Sequence, residues 1–139
     1  MSAEENIAIF RHFVEEVLNK GNADVADQFF APTLVEHILP PYIPGTLDGF
    51  KEWLMMFHKA FPDGKWIIDF ITGAGDIVAH HKSMVGTHTG EYLGVAATGQ
   101  QVTTQETGII RFKDGKMVEF WSTFDDFGIA RQLGLIPEH

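Results

Sequence analysis

The sequence contains no cysteine, which excludes disulfides, thiolate nucleophiles and cysteine-held metals or clusters. Basic residues are scarce: ten Lys and Arg stand against 19 Asp and Glu, for a formal net charge of −9. That balance opposes binding to phosphate backbones, and with no Lys/Arg cluster anywhere no nucleic-acid partner is expected. No run is apolar enough to span a bilayer, and the first residues lack the basic and hydrophobic regions of a secretory signal. The expectation is a cytoplasmic protein that does not engage membranes. No Ser-His-Asp order is evident, no glycine loop that would cradle phosphate follows a strand, and no dinucleotide fingerprint opens a helix. Histidines nowhere take the His-x-x-x-His spacing of a helix-borne metal site. His80, His81 or His88 could converge with Glu36 or Asp125 only across strands, so no metal and no cofactor is expected.

What is present suits one compact domain over residues 1–139, with 45% hydrophobic and 12% aromatic content and enough chain for a core around a pocket. Ser2 and Glu5 form a capping-box pattern ahead of a helix with Ile7, Phe10, Phe13, Val14, Val17 and Leu18 at helical spacing. Lys20-Gly21-Asn22 stops it. Asn22 can cap a shorter helix carrying Val25, Phe29 and Phe30, which Pro32 would end before Leu34-Val35-Glu36-His37. Pro40-Pro41-Tyr42-Ile43-Pro44-Gly45 reads as an ordered loop into a third helix, with Phe50, Trp53, Leu54, Phe57, Ala60 and Phe61 on its buried side. After the Pro62-Asp63-Gly64 turn the pattern becomes that of strands, over 65–72, 77–89, 102–112 and 117–125, with Asp114-Gly115 as a hairpin turn. A short helix over 128–133 would cover the open end. The fold class expected is α+β, with helices packed on one face of a curved antiparallel sheet that encloses a pocket.

Two stretches carry the strongest signal. In Gly86-Thr87-His88-Thr89-Gly90-Glu91-Tyr92-Leu93-Gly94-Val95-Ala96-Ala97-Thr98-Gly99, four glycines and three threonines surround one histidine. A strand can there bend, leave the sheet and bring backbone close to what lies beneath. In Glu119-Phe120-Trp121-Ser122-Thr123-Phe124-Asp125, alternation puts Glu119, Trp121, Thr123 and Asp125 on one face, and Phe120, Ser122 and Phe124 on the other. Beside Trp121 and the aromatic helix faces, Asp125 would be desolvated and its pKa raised, making it a usable proton shuttle.

These residues resemble the SnoaL-like polyketide cyclase family, which carries a Gly-Thr-His-Thr-Gly stretch, a nearby Gly-Val-x-x-Thr-Gly and a late Glu-x-Trp-x-x-x-Asp followed by Gln-Leu-Gly. The early Glu36-His37, Phe61-Pro62-Asp63 and the Arg111–Lys116 hairpin extend the resemblance over nearly the whole chain. It implies the cone-shaped α+β fold of the nuclear transport factor two-like type, a fold that hosts several chemistries as well as binding modules. It also implies intramolecular aldol closure of polyketide rings without metal or cofactor, with the aspartate matching Asp125 as acid/base. Such a group typically supplies roughly a hundred- to ten-thousand-fold.

Asp125 also fits as the cap of the following helix, although strand parity makes Asp126 the better cap. His37 can donate to a substrate oxygen or hold Asp125 ionised, or be satisfied by backbone. His88 can face the cavity with a catalytic role or pin the glycine-rich bend. His81 stands where relatives often carry arginine, as a possible substrate contact; adjacent His80 and His81 face opposite ways. His12, His58 and His139 read as surface residues. Trp53, Phe57, Trp66 and Phe70 read as core that doubles as a stacking wall for a flat hydrophobic substrate, with Trp121 beside them. Tyr92 is either a polar lid group or an exposed loop aromatic.

The expected function is cofactor-independent acid/base chemistry, aldol condensation or isomerisation, on a hydrophobic carbonyl-bearing small molecule. The alternatives are a ligand-binding or oligomerisation module of the same fold, and an epoxide or ester hydrolase needing an Asp-Arg-Asp set from Asp125, Arg111 and Asp69. Apolar outward residues of the last strands, namely Ile110, Phe112 and Phe120, point to a homo-oligomer, dimer or tetramer.

Overall fold

A computed structural model describes residues 1–37 and 43–137. The Pro40-Pro41-Tyr42 part of the expected loop and the surface assignment of His139 lie outside the described residues. The chain opens with α1 (Ala3–Phe13), whose capping box is formed as the pattern indicates: Ser2 Oγ accepts from the Glu5 N–H, and Glu5 returns the bond to the Ser2 N–H, both at 3.1 Å. The helix runs on as a wider π-helical segment, Val14–Asn19, which buries Val14, Val17 and Leu18.

The second helix is shorter than expected. A 3-10 segment, Ala23–Gln28, capped by Asn22, gives way to strand β1 (Phe30–Glu36). Phe30 and Pro32 therefore belong to a strand and not to a helix and its stop. The proline is tolerated because β1 is the edge of the sheet, where a missing N–H breaks no ladder on the open side. Helix α2 (Leu47–Ala60) starts on a Thr46 cap and buries Phe50, Leu54, Phe57 and Ala60 along one stripe.

The remaining strands are β2 (Lys65–Ala74), β3 (Ile77–Thr87), β4 (Gln101–Lys113) and β5 (Lys116–Phe124), followed by α3 (Asp126–Gln132). Asp114 and Gly115, at φ 52° and 77°, make the left-handed two-residue turn that the β4–β5 hairpin needs. The sheet order is β1-β5-β4-β3-β2. It is mixed rather than wholly antiparallel, because β1, returning before the helix α2, pairs parallel with β5. Register shifts within β1–β5, β2–β3 and β4–β5 bend the strands. The result is a curved, unclosed sheet with helices against its inner face.

That inner face is set by alternation. On β3 it carries Val78, His80, Lys82 and Met84; on β5 it carries Phe120 and Ser122, all buried. Ile110, Phe112 and Phe120, expected on the outside as a pairing surface, are in fact buried in the core. The outer face presents Ile67, Phe70, Val85 and Ile109 instead. No helix among the described residues is long and apolar enough to cross a membrane.

Candidate active site

The inner face of the sheet and the helices do not meet completely. Between them lies a cavity with about 640 Å³ of space free of atoms, counting the part that opens to solvent. Little of that space is wide enough for a water molecule, so its walls stand close together, and it is called the slot. Phe13, Phe30, Phe50, Trp53 and Phe124 form most of the wall. Five polar side chains interrupt it: Glu36, Lys82, Glu106, Ser122 and Asp126.

The slot exists because of the chain's local choices. The π-helical turn after α1 swings Leu18 to the wall alongside Phe13. Alternation on β5 sends Phe120, Ser122 and Phe124 inward. At Phe124 the strand ends, and with it the parity by which Asp125 was placed among the inward groups. Asp125 takes the N-cap position of α3, and its Oδ1 accepts the Gly128 N–H at 2.8 Å. A side chain at Gly128 would collide with that carboxyl, so the glycine is part of the cap. Asp126, expected as the cap, begins the helix and borders the cavity. The two aspartates have thus exchanged the places anticipated for them, because capping geometry and not strand alternation governs the chain after Phe124.

Asp126 is held by Tyr92, whose phenol O–H donates to its Oδ1 at 2.6 Å. Tyr92 is therefore neither a lid nor an exposed loop residue; it is 2% exposed. The tight Leu93-Gly94 turn, both residues at positive φ, closes the Tyr92–Val95 bridge and turns the ring inward. Burial raises the Asp126 pKa, the Tyr92 bond opposes the rise, and the neighbouring charge of Asp125 adds to it.

At β3 and β4 a second polar group crosses the sheet. Lys82 pairs with Glu106 in the strand register, and its Nζ donates both to Glu106 and, at 3.0 Å, to His80 Nε2. The ammonium also lies 5.0 Å from the centre of the Trp66 ring. Gly108 leaves the room His80 needs: a Cβ there would come within 2.5 Å of the imidazole. Burial, then the adjacent ammonium, lowers the His80 pKa to about 4, so the ring is neutral and accepts at Nε2. Burial would push the Glu106 carboxyl up, but the Lys82 ammonium holds it below the usual carboxylate range.

Among the described residues Glu36 has no such partner. Burial, then the charge of Glu106, pushes its pKa up to about 8, against the opposing effect of Lys82. Its proton is thus retained by the folded chain while the unfolded chain loses it, from its ordinary value near 4.5 up to about 8. Folding weakens as pH rises across that window. The full shift would amount to roughly 5 kcal/mol at about 1.4 kcal/mol per unit, and water reaching a half-buried carboxyl reduces this to about 2 kcal/mol. Glu36→Gln is expected to remove that loss, so that urea unfolding shows the variant gaining on the natural protein as pH rises from about 4.5 to about 8.

The remaining expected site residues lie elsewhere. His37 and Trp121 are on the outer face, stacked ring on ring at 4.7 Å, with His37 Nε2 bonded to Glu119 at 2.9 Å. Trp121 follows strand parity faithfully; the cavity lies on the opposite face from the one assigned to it. His81 is also outside, bonded to the Thr107 hydroxyl at 2.8 Å and facing Asp69. His88 is fully buried but does not border the cavity. Its Nδ1 accepts the Thr98 N–H, which pins the glycine-rich bend and leaves the proton on Nε2. Trp53 is on the cavity wall, and Phe57 stacks behind it at 5.0 Å. Arg111 reaches Asp76 and Glu119, and Asp69 reaches Ser83, all away from the Asp125 cap, so no Asp-Arg-Asp set converges.

Residues 8–133 match the family described as SnoaL-like polyketide cyclase. The chain is 29% identical to the aklanonic acid methyl ester cyclase AcmA of Streptomyces galilaeus, over 94% of this chain and 91% of that one. Among solved structures it is similar to AclR of the same organism, provisionally described as a hydroxylase, with a TM-score of 0.87 and 26% identity over 99% of this chain and 86% of AclR. TsrD of Streptomyces laurentii, 20% identical, shares the fold with a TM-score of 0.86 over 98% of this chain and 99% of its own. With a family match spanning all but the ends, on a fold of the same shape, the chain belongs to the SnoaL-like polyketide cyclase family.

Proposed function

We propose that this protein is a cofactor-independent acid/base enzyme in which Asp126 takes a proton from the carbon beside a carbonyl group of a hydrophobic substrate. The resulting enolate carbon attacks a second carbonyl of the same molecule, one carbon–carbon bond forms, and the alkoxide collects the proton that Asp126 holds. Returning the proton to a different carbon instead gives isomerisation. The observation that carries this reading is the Asp126 carboxyl at the edge of an apolar slot, half-buried and gripped by Tyr92. Burial raises its basicity toward what proton abstraction needs. The slot's closely set aromatic walls suit a flat ring system. The name of AcmA, a cyclase, supports ring closure as the reaction class.

A simple ketone tests the first step. In D2O, 2-acetylnaphthalene should exchange its methyl protons faster with the protein than in buffer, read by proton NMR. A ketone that binds without exchange assigns the chain to the non-catalytic binding modules of this fold.

We also propose that a second copy of this chain covers the outer sheet face. Phe70 is 73% exposed and Ile67 57%, side by side on the outer face of β2, and Val85 and Ile109 are exposed on the same face of β3 and β4. The same face on two copies is self-complementary, as a two-fold pair requires. Sedimentation is expected to give twice the chain mass for the natural protein and the single-chain mass for Phe70→Asp. A monomeric natural protein rules out the pairing.

A further inference from the structure

We propose that the Glu36 carboxyl is the hydrogen-bond donor that receives the oxygen of a ketone bound in the cavity, and so steadies the enolate formed there. The proposal rests on reading the cavity as a site for hydrophobic carbonyl compounds. It follows from how the polar groups around the slot are already engaged. Three carboxyls border it, Glu36, Glu106 and Asp126, against one ammonium, Lys82. Lys82 is committed to Glu106 and His80. Asp126 receives the Tyr92 hydroxyl. Glu36 has its backbone N–H on Gly45 O at 3.0 Å, but no side-chain bond to its carboxyl occurs among the described residues.

The groups facing Glu36 favour the neutral acid. Glu106 on β4 repels its charge, and Lys82 on β3 is already spent on that same carboxylate. His80 on β3 is neutral, and Asp126 at the start of α3 is another acid. The helical segments contribute Phe13, Leu18, Phe50 and Trp53 to the wall, none of which ionises. A half-buried O–H with no acceptor among the described residues is free to donate into the cavity it borders, and a ketone oxygen accepts without adding charge. When Asp126 removes the neighbouring proton, the oxygen becomes more negative and the bond to Glu36 strengthens, which is the differential stabilisation that accelerates a reaction. An ionised Glu36 would repel the same oxygen. Ser122 also borders the slot with a hydroxyl and is the competing donor.

The test uses 2-acetylnaphthalene carrying carbon-13 at its carbonyl, with 2-ethylnaphthalene as the matched ligand lacking oxygen. Neither ligand ionises, so any pH dependence belongs to the protein. Isotope-edited infrared spectra should show the carbonyl stretch lowered in the natural protein, and the lowering should fade as pH is raised through about 8. Glu36→Leu should abolish the lowering and weaken the ketone roughly tenfold, the size of one hydrogen bond, while 2-ethylnaphthalene binds as before. Glu36→Gln, which keeps an N–H donor, should retain the lowering and lose its pH dependence. A stretch unchanged in Glu36→Leu, or one that vanishes only in Ser122→Ala, overturns the proposal and leaves the cavity reading standing. If neither ligand binds the natural protein, the cavity reading fails and the proposal falls with it.

Discussion

Asp126→Asn is expected to slow the exchange of methyl protons from 2-acetylnaphthalene by roughly a hundred- to ten-thousand-fold, the range over which a positioned acid or base contributes. Asparagine keeps the size of the side chain and an oxygen that can accept from Tyr92. Binding of the ketone and the unfolding midpoint should therefore change little while exchange collapses. Asp125→Ala separates the neighbouring carboxylate from this role. It removes the acceptor of the Gly128 N–H and should destabilise the fold by about 1 kcal/mol with exchange preserved. If Asp125→Ala abolishes exchange in a folded protein and Asp126→Asn does not, the proton shuttle is Asp125 after all. The active form is the ionised base, so exchange should rise as pH passes through the raised Asp126 pKa.

The contrast between these two residues shows where the sequence is legible. Helical spacing located α1 and α2, alternation located β2 to β5, and Asp114-Gly115 located their hairpin, because each of these signals is local. Alternation also sorted β5 into two correct sets of residues. It could not say which set faces the helices, since both carry aromatic rings: Phe120 and Phe124 on one side, Trp121 on the other. Placing Trp121 inward carried His37, His81 and Asp125 with it, and all three lie elsewhere. A better guide was available in β3, where Val78, His80, Lys82 and Met84 share one parity. A lysine among such apolar neighbours demands an anionic partner, and β4 offers Glu106 on the parity of Thr104, Gly108 and Ile110. What the sequence alone withholds is their register. The loop joining the two strands is long, and no short turn fixes which residues stand opposite. Strand β1 was hidden for a different reason: Pro32 reads as a stop unless the strand is known to be an edge.

Lys82→Met is expected to destabilise the protein by about 3–5 kcal/mol, because it strands a buried carboxylate and does not merely delete a bond. The Glu106 side chain is only 13% exposed, and its nearest ionisable neighbours after the substitution would be neutral His80 and a second acid, Glu36. For a chain of this length the melting temperature should fall on the order of 10 °C. Its pH dependence follows from the sign of each shift. In the natural protein Lys82 holds the Glu106 pKa below its ordinary value, so the pair's contribution is present above about pH 4.5 and is lost as pH falls below that. Without Lys82, burial raises the same pKa, and the variant loses stability as pH rises. The difference between the two proteins should consequently narrow toward acid and widen toward neutrality in urea unfolding. Lys82→Met combined with Glu106→Leu removes both charges and should recover most of the loss, as apolar replacement of buried pairs commonly does. The double variant then separates two roles that the natural chain combines. With Glu106 gone, the main charge that keeps Glu36 protonated is gone as well, and any remaining ketone bond at Glu36 would rest on burial alone. A stable double variant whose ketone affinity already declines at a lower pH than in the natural protein would show that the buried pair, beyond holding the sheet, sets the pH at which Glu36 gives up its proton.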